Sequence, residues 1–113
     1  MSGVHYYQGA ERPSLSLWLL DDDGTLIDFS SGYTFSFRIG QVGVAAVLNK
    51  TSGITGAVGA GSEPTGTPNV TVAWLSGELD ITPGSYEWQL VATSGGFDRV
   101  FGGIIRILGV ISA

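Results

Sequence analysis

The stretch from Asp80 to Ser94, DITPGSYEWQLVATS, limits what this chain can fold into more than any other. Pro83-Gly84 is a turn signal, and an alternating run follows it. Successive side chains of a strand point to opposite faces. Tyr86, Trp88, Leu90 and Ala92 therefore share one face, and Glu87, Gln89, Val91 and Thr93 share the other. Two large aromatics on one face of one strand fill the middle of a core between two sheets. The stretch predicts a β-sandwich and identifies no reaction.

The rest of the chain follows the same period. Tyr33, Phe35, Phe37 and Ile39 alternate with Thr34, Ser36 and Arg38, which predicts a strand with one buried and one exposed face. In Ser14–Leu20, Leu15, Leu17 and Leu19 face one way and Trp18 and Leu20 the other. A strand apolar on both faces is central or lies under another element. Asp21-Asp22-Asp23-Gly24-Thr25 is a turn, so 14–29 reads as a hairpin. Val44–Lys50 reads as a strand, with a short helix as the competing reading because Ala and Leu favour it. Residues 52–68 form a long Gly-rich loop, in which Ile54–Val58 is a short strand. Val70, Val72 and Trp74 share one face of the next strand. Ser94-Gly95-Gly96-Phe97 is a hairpin turn into the last strand, Arg99–Leu108. Gly102-Gly103 inside that strand predicts a bulge or a close backbone approach. About eight strands at spacings of roughly 8–12 residues fit a sandwich.

Residues 1–13 read as an N-terminal arm in which Val4–Tyr7 forms a short strand, expected to pair with a neighbouring chain. Residues 109–113 are an apolar tail. The domain proper is then 14–108. No signal peptide is expected, because the first residues have neither a basic nor an apolar region. The longest apolar run, Ile104–Ala113, is interrupted by Arg106 and is too short to span a bilayer, so no membrane partner is expected.

Composition narrows the chemistry. A length of 113 residues suits one domain, and 18 glycines with 13% charged residues suit many turns and a surface partly covered by other subunits. There are no cysteines, which excludes a disulfide framework, thiolate zinc sites and a Cys nucleophile. A net charge of −5 builds no basic stripe, so nucleic acid is not an expected partner. Asp21–Gly24 lacks the later ligand positions of a calcium loop and reads as a solvated turn. Glu78, Asp80 and Glu87 have no feature that sets two carboxylates across a cleft. His5 is the one histidine, which leaves a catalytic triad without a fixed base. Exposed members among Trp18, Trp74, Trp88, Tyr6 and Tyr7 would make a sugar-stacking platform, although aromatics on alternating strands are usually core. Asn49-Lys50-Thr51 and Asn69-Val70-Thr71 match a short glycosylation sequon by chance, and Gly56–Gly61 lacks the Lys-Ser/Thr of a phosphate loop. No enzyme, cofactor or metal site is expected.

Two segments together carry a resemblance. They are PSLSLWLLDDDGTLIDFSSGYTFSFRI, Pro13–Ile39, and LDITPGSYEWQLVATSGGFDRVFGGIIRI, Leu79–Ile107. The chain resembles the small immunoglobulin-like domain at the N-terminus of phage baseplate upper proteins and in short tail proteins of tailed phages. The matching features are the leucine-rich strand, the acidic-Gly turn, Asp28-Phe29-Ser30, and the spacing of Gly84, Tyr86, Trp88 and Leu90. Gly-x-Tyr before a long strand is also similar to the immunoglobulin corner, where a Tyr bonds back to the preceding loop. The middle, Gly40–Thr67, is longer and richer in Gly than that pattern.

The resemblance implies an all-β, immunoglobulin-like two-sheet sandwich. It implies a virion protein at the tail tip or baseplate, made in the host cytoplasm, whose partners are other virion proteins and copies of itself. The alternatives are a capsid decoration protein and a carbohydrate-binding module for host attachment. Candidate contact residues are Val4, His5, Tyr6 and Tyr7 in the arm, Ile54 and Val58 in the loop, and Ile107, Leu108, Val110 and Ile111 towards the tail.

Overall fold

Eight strands follow from the alternation described above. The computed structural model describes residues 4–41, 43–63 and 65–110, and those residues contain no helix. The strands are β1 (Val4–Tyr7), β2 (Leu15–Leu17), β3 (Thr34–Gly40), β4 (Leu48–Lys50), β5 (Ile54–Gly56), β6 (Val70–Val72), β7 (Gly84–Ser94) and β8 (Phe97–Leu108). They form a five-stranded sheet, β1-β8-β7-β3-β4, and a three-stranded sheet, β2-β6-β5. All pairs are antiparallel except β1 with β8. The two sheets pack on one core, drawn from Leu15 and Leu17 on β2, Val70 and Val72 on β6, and Phe37, Ile39, Trp88, Leu90 and Ile105 on the larger sheet.

The β7–β8 hairpin is the backbone of the larger sheet. Its eleven residue pairs run without interruption from Gly84↔Ile107 to Ser94↔Phe97. The turn needs two residues at positive φ, and Gly95 and Gly96 supply them at 58° and 83°. Of the two readings for Gly102-Gly103, a bulge or a close backbone approach, the bulge is absent. A close approach takes its place, made by a side chain: Gly103 lies opposite Trp88, and a Cβ on it would sit 2.7 Å from the indole Nε1. The ring therefore lies flat across β8. It stacks on Phe37 at 5.8 Å, Phe37 meets Trp74 edge-on at 5.6 Å, and Trp74 meets Tyr6 edge-on at 5.4 Å. Such pairs add roughly 0.5–1.5 kcal/mol each beyond the area they bury.

Tyr6 explains the first correction. Alternation along β1 turns its ring inward, where it is 6% exposed, and β1 pairs with β8 of its own chain from Val4↔Ile105 to Tyr7↔Leu108. Val4–Tyr7 is thus part of the sandwich and not an arm awaiting a neighbouring chain. Three further differences are local. β2 is shorter than Ser14–Leu20, because Asn69 takes over the backbone beyond Leu17, and it lies at the edge of the smaller sheet. Val44–Lys50 contributes only Leu48–Lys50; Gly43–Val47 is a turn region with exposed side chains and no helix. The 52–68 segment is more regular than a loop, with β5 and a bridge between Ala60 and Thr67.

Asn69 is fully buried and uses every polar atom of its side chain. Its Oδ1 accepts from Leu19 N at 2.8 Å, and its Nδ2 donates to Leu19 O at 2.8 Å and to Ile27 O at 2.9 Å. The amide thereby clamps both arms of the 14–29 hairpin to the start of β6. Its burial also removes it as a glycosylation acceptor. Lys50 is buried too, paired with Glu78 at 2.5 Å, donating to Ala73 O, with its ammonium 5.3 Å from the centre of the Trp74 ring.

Two substitutions test this core. Gly103→Ala should lower unfolding free energy by about 1–3 kcal/mol, because the indole must move, as seen by denaturant titration. Gly102→Ala on the opposite face should cost less; equal costs would contradict the packing described. Asn69→Leu should cost about 3 kcal/mol or more by leaving buried Leu19 and Ile27 groups unpaired, against a negligible effect for Asn49→Leu on the exposed side of β4.

Candidate interaction surface

Most of the acidic groups sit on turns, while Arg38 and Glu87 stand on the outward faces of β3 and β7. In the Asp21–Thr25 turn, Asp21 Oδ1 accepts from Asp22 N at 2.9 Å, and Asp23 Oδ1 accepts from Thr25 N at 3.1 Å and Thr25 Oγ1 at 2.6 Å. Asp21 also meets Arg99 at 3.2 Å. Asp28 accepts from Ser30 N at 2.9 Å and Ser30 Oγ at 2.6 Å. These are the local bonds of solvated turns. Glu78 is committed to Lys50 and to Leu75 N, at 2.7 Å. Among the described residues no group of three or more His, Asp or Glu side chains could hold a metal ion. His5 is exposed on β1, across from Arg106. Burial raises the Tyr6 hydroxyl above its ordinary range, and the neighbouring Trp74 opposes that shift.

The tryptophans make no exposed row. Trp74 and Trp88 are core, at 5% and 1% exposure, and Trp18 is half-buried. Trp18 lines an apolar pocket of about 450 Å³ with Leu20, Ser62 and Phe101.

The ten candidate contact residues do not form one patch. Tyr6 and Ile107 are inside the core, at 6% and 2% exposure, and cannot present a surface. Both sit on the inward phase of their strands, opposite each other. Val4 and Ile54 pack half-buried against the core. His5, Tyr7 and Leu108 share the outward phase at the β1–β8 end, with Val110 exposed just beyond. Val58 is exposed but belongs to the region after β5, in the other sheet. Ile111 lies outside the described residues.

Sequence reading passed over a different set. Phe97 is 80% exposed, Val100 59% and Ile104 47%, all on β8. Their signal is in the sequence: RVFGGIIRIL is apolar on both phases, and the core takes Ile105 and Ile107, with Phe101 packed against it. The same two-faced pattern in Ser14–Leu20 predicts a central or covered strand, and in β8 it accompanies exposed Val100 and Ile104.

Acid unfolding tests the turns. Asp21 is held below the usual carboxylate range first by the Asp22 backbone N–H and then by Arg99; Thr25 does the same for Asp23, and Ser30 for Asp28. A depressed folded-state pKa means that the unfolded chain binds protons first as pH falls. The contribution is therefore complete above the unfolded value of about 3.9 and is lost on acidification below it. The melting temperature should be level from neutral pH to about 5 and fall below about 4. A rise in melting temperature over that last interval would contradict the turn geometry.

No family model, curated protein or solved structure matches the chain.

Proposed function

We propose that the chain is an immunoglobulin-like domain that works by protein–protein assembly, as a structural protein of a tailed-phage virion at the tail tip or baseplate. Strand order is the observation that carries the fold part of this reading. β2, β6 and β5 stand where B, E and D stand in an immunoglobulin sandwich, and β3, β7 and β8 where C, F and G stand, with β4 as the added C′ edge. Tyr86 supports it independently. It lies near the start of β7, and its hydroxyl donates to Thr82 O in the preceding loop at 2.6 Å, the bond of a tyrosine corner. Trp88, two residues on, then stands at the position of the second cysteine of antibody domains. This chain has no cysteine, and Trp88 stacked on Phe37 of β3 fills that space instead.

The virion part of the reading rests on the resemblance carried by Pro13–Ile39 and Leu79–Ile107. Assembly is supported by the surface, which exposes large apolar side chains such as Phe97, Val100 and Val110. Immunogold labelling of purified particles of the encoding phage tests it. Label at the distal end of the tail is the expected result. Label over the head would transfer the protein to capsid decoration, and absence from washed particles would overturn the virion reading.

A further inference from the structure

The chain crosses from the larger to the smaller sheet between β4 and β5. β4 pairs with β3 only at Phe37, Arg38 and Ile39, and Lys50 then anchors its end to Glu78 and the Ala73 carbonyl. Residues 34–36 are therefore paired with β7 on one side, and among the described residues nothing pairs with them on the other. A cleft of about 530 Å³ follows this edge, bounded by residues 33–36 and by Thr51, Ile54 and Thr93. Both phases of the strand reach it. Tyr33 and Phe35 come from the core side, Thr34 and Ser36 from the outward side.

One part of the lining is aromatic. The Tyr33 and Phe35 rings stand nearly parallel, with centroids 6.4 Å apart and planes at 20°. Phe29 braces both edge-on, at 4.8 and 5.7 Å. Each ring packs against the core and stays half exposed, so its position is fixed while part of its surface is open. The other part is hydroxyl. Thr93 Oγ1 donates to Asp98 at 2.7 Å. The hydroxyls of Tyr33, Thr34, Ser36 and Thr51 make no hydrogen bond to any described residue. Each is free both to donate and to accept. No side chain in the lining carries a charge at neutral pH.

We propose that this cleft binds a neutral saccharide. The apolar face of a pyranose ring rests on Tyr33 and Phe35, and its hydroxyls exchange hydrogen bonds with Thr34, Ser36 and Thr51. A pyranose joins an apolar face to a rim of groups that donate and accept, which is what the two parts of the lining complement. Other ligand classes fit worse. An ionic ligand would be desolvated with no opposite charge to meet it. An apolar ligand would cover the hydroxyls without pairing them. A peptide added as a strand would find only three free residues of edge. The site is separate from the tryptophans, whose burial removes the stacking platform expected of them.

The inference goes beyond the assembly reading and does not rest on it. Its test is an amide chemical-shift titration of the full chain with D-glucose, D-galactose, D-mannose and N-acetyl-D-glucosamine in turn. Single sugars are small ligands with dissociation constants on the order of millimolar, so each titration runs to about 100 mM. At least one sugar should give saturable shifts confined to residues 33–36, 51–54 and 93, and sorbitol, which has hydroxyls but no ring face, should not. The double variant Thr34→Val with Thr51→Val should weaken that sugar about tenfold, by removing two hydrogen bonds. Its melting temperature should match that of the parent chain, since neither residue belongs to the core. Absence of saturable shifts with all four sugars would overturn the proposal. An equal response to sorbitol would do so too, as would undiminished binding by the double variant. Each of these results leaves the virion reading to its own test.

Discussion

The indole of Trp88 resting on the bare backbone of Gly103 is the contact on which the rest of the structure depends. It requires a large flat side chain on β7 and no side chain at the facing position of β8. Once the ring lies across β8, Phe37 can stack on it, Trp74 can meet Phe37, and Tyr6 can close the row. Each member comes from a different part of the chain, so the row joins β1, β3, β7 and the segment after β6. A chain without cysteine has no covalent staple between its sheets. The aromatic row takes that role by dispersion and area, and the Asn69 clamp adds three buried hydrogen bonds that hold the 14–29 hairpin to the start of β6.

The buried Lys50 fits the same logic. An ammonium inside a protein is costly unless it is paired and hydrogen-bonded. Lys50 has the Glu78 carboxylate, the Ala73 carbonyl and the face of Trp74. These contacts tie β4, at one edge of the larger sheet, to the turn between β6 and β7. The edge strand is therefore anchored by charge where its 3 residues provide little ladder.

Much of this was legible from two-residue alternation. Tyr33–Ile39, Asn69–Leu75 and Tyr86–Ala92 all place on the inside the side chains that alternation assigns there. Turns carried by Gly24 and by Gly95-Gly96 were equally readable, because few residues tolerate their backbone angles. Alternation does not say which strand is a strand's neighbour. Val4–Tyr7 looked like an arm because Gly9 and Pro13 follow it, yet Tyr6 has a place in the core that only the fold reveals. The clamp at Asn69 was hidden for a similar reason: its partners lie 42 and 50 residues away. Of the ten candidate contact residues, Tyr6 and Ile107 were misjudged by one phase of a strand, and the exposed half of β8 was overlooked.

Among the described residues, β1 closes the outer edge of β8 over its last four residues. β8 is 12 residues long, and among the described residues β1 pairs with it from Ile105 to Leu108. Amide hydrogen exchange along β8, read residue by residue at low and at high protein concentration, tests that division most directly. Amides from Ile105 to Leu108 should be protected at both concentrations. The Asp98 and Val100 amides, which point away from β7, should exchange freely in dilute solution. Protection of those amides at every dilution would mean that the edge is already covered within one chain.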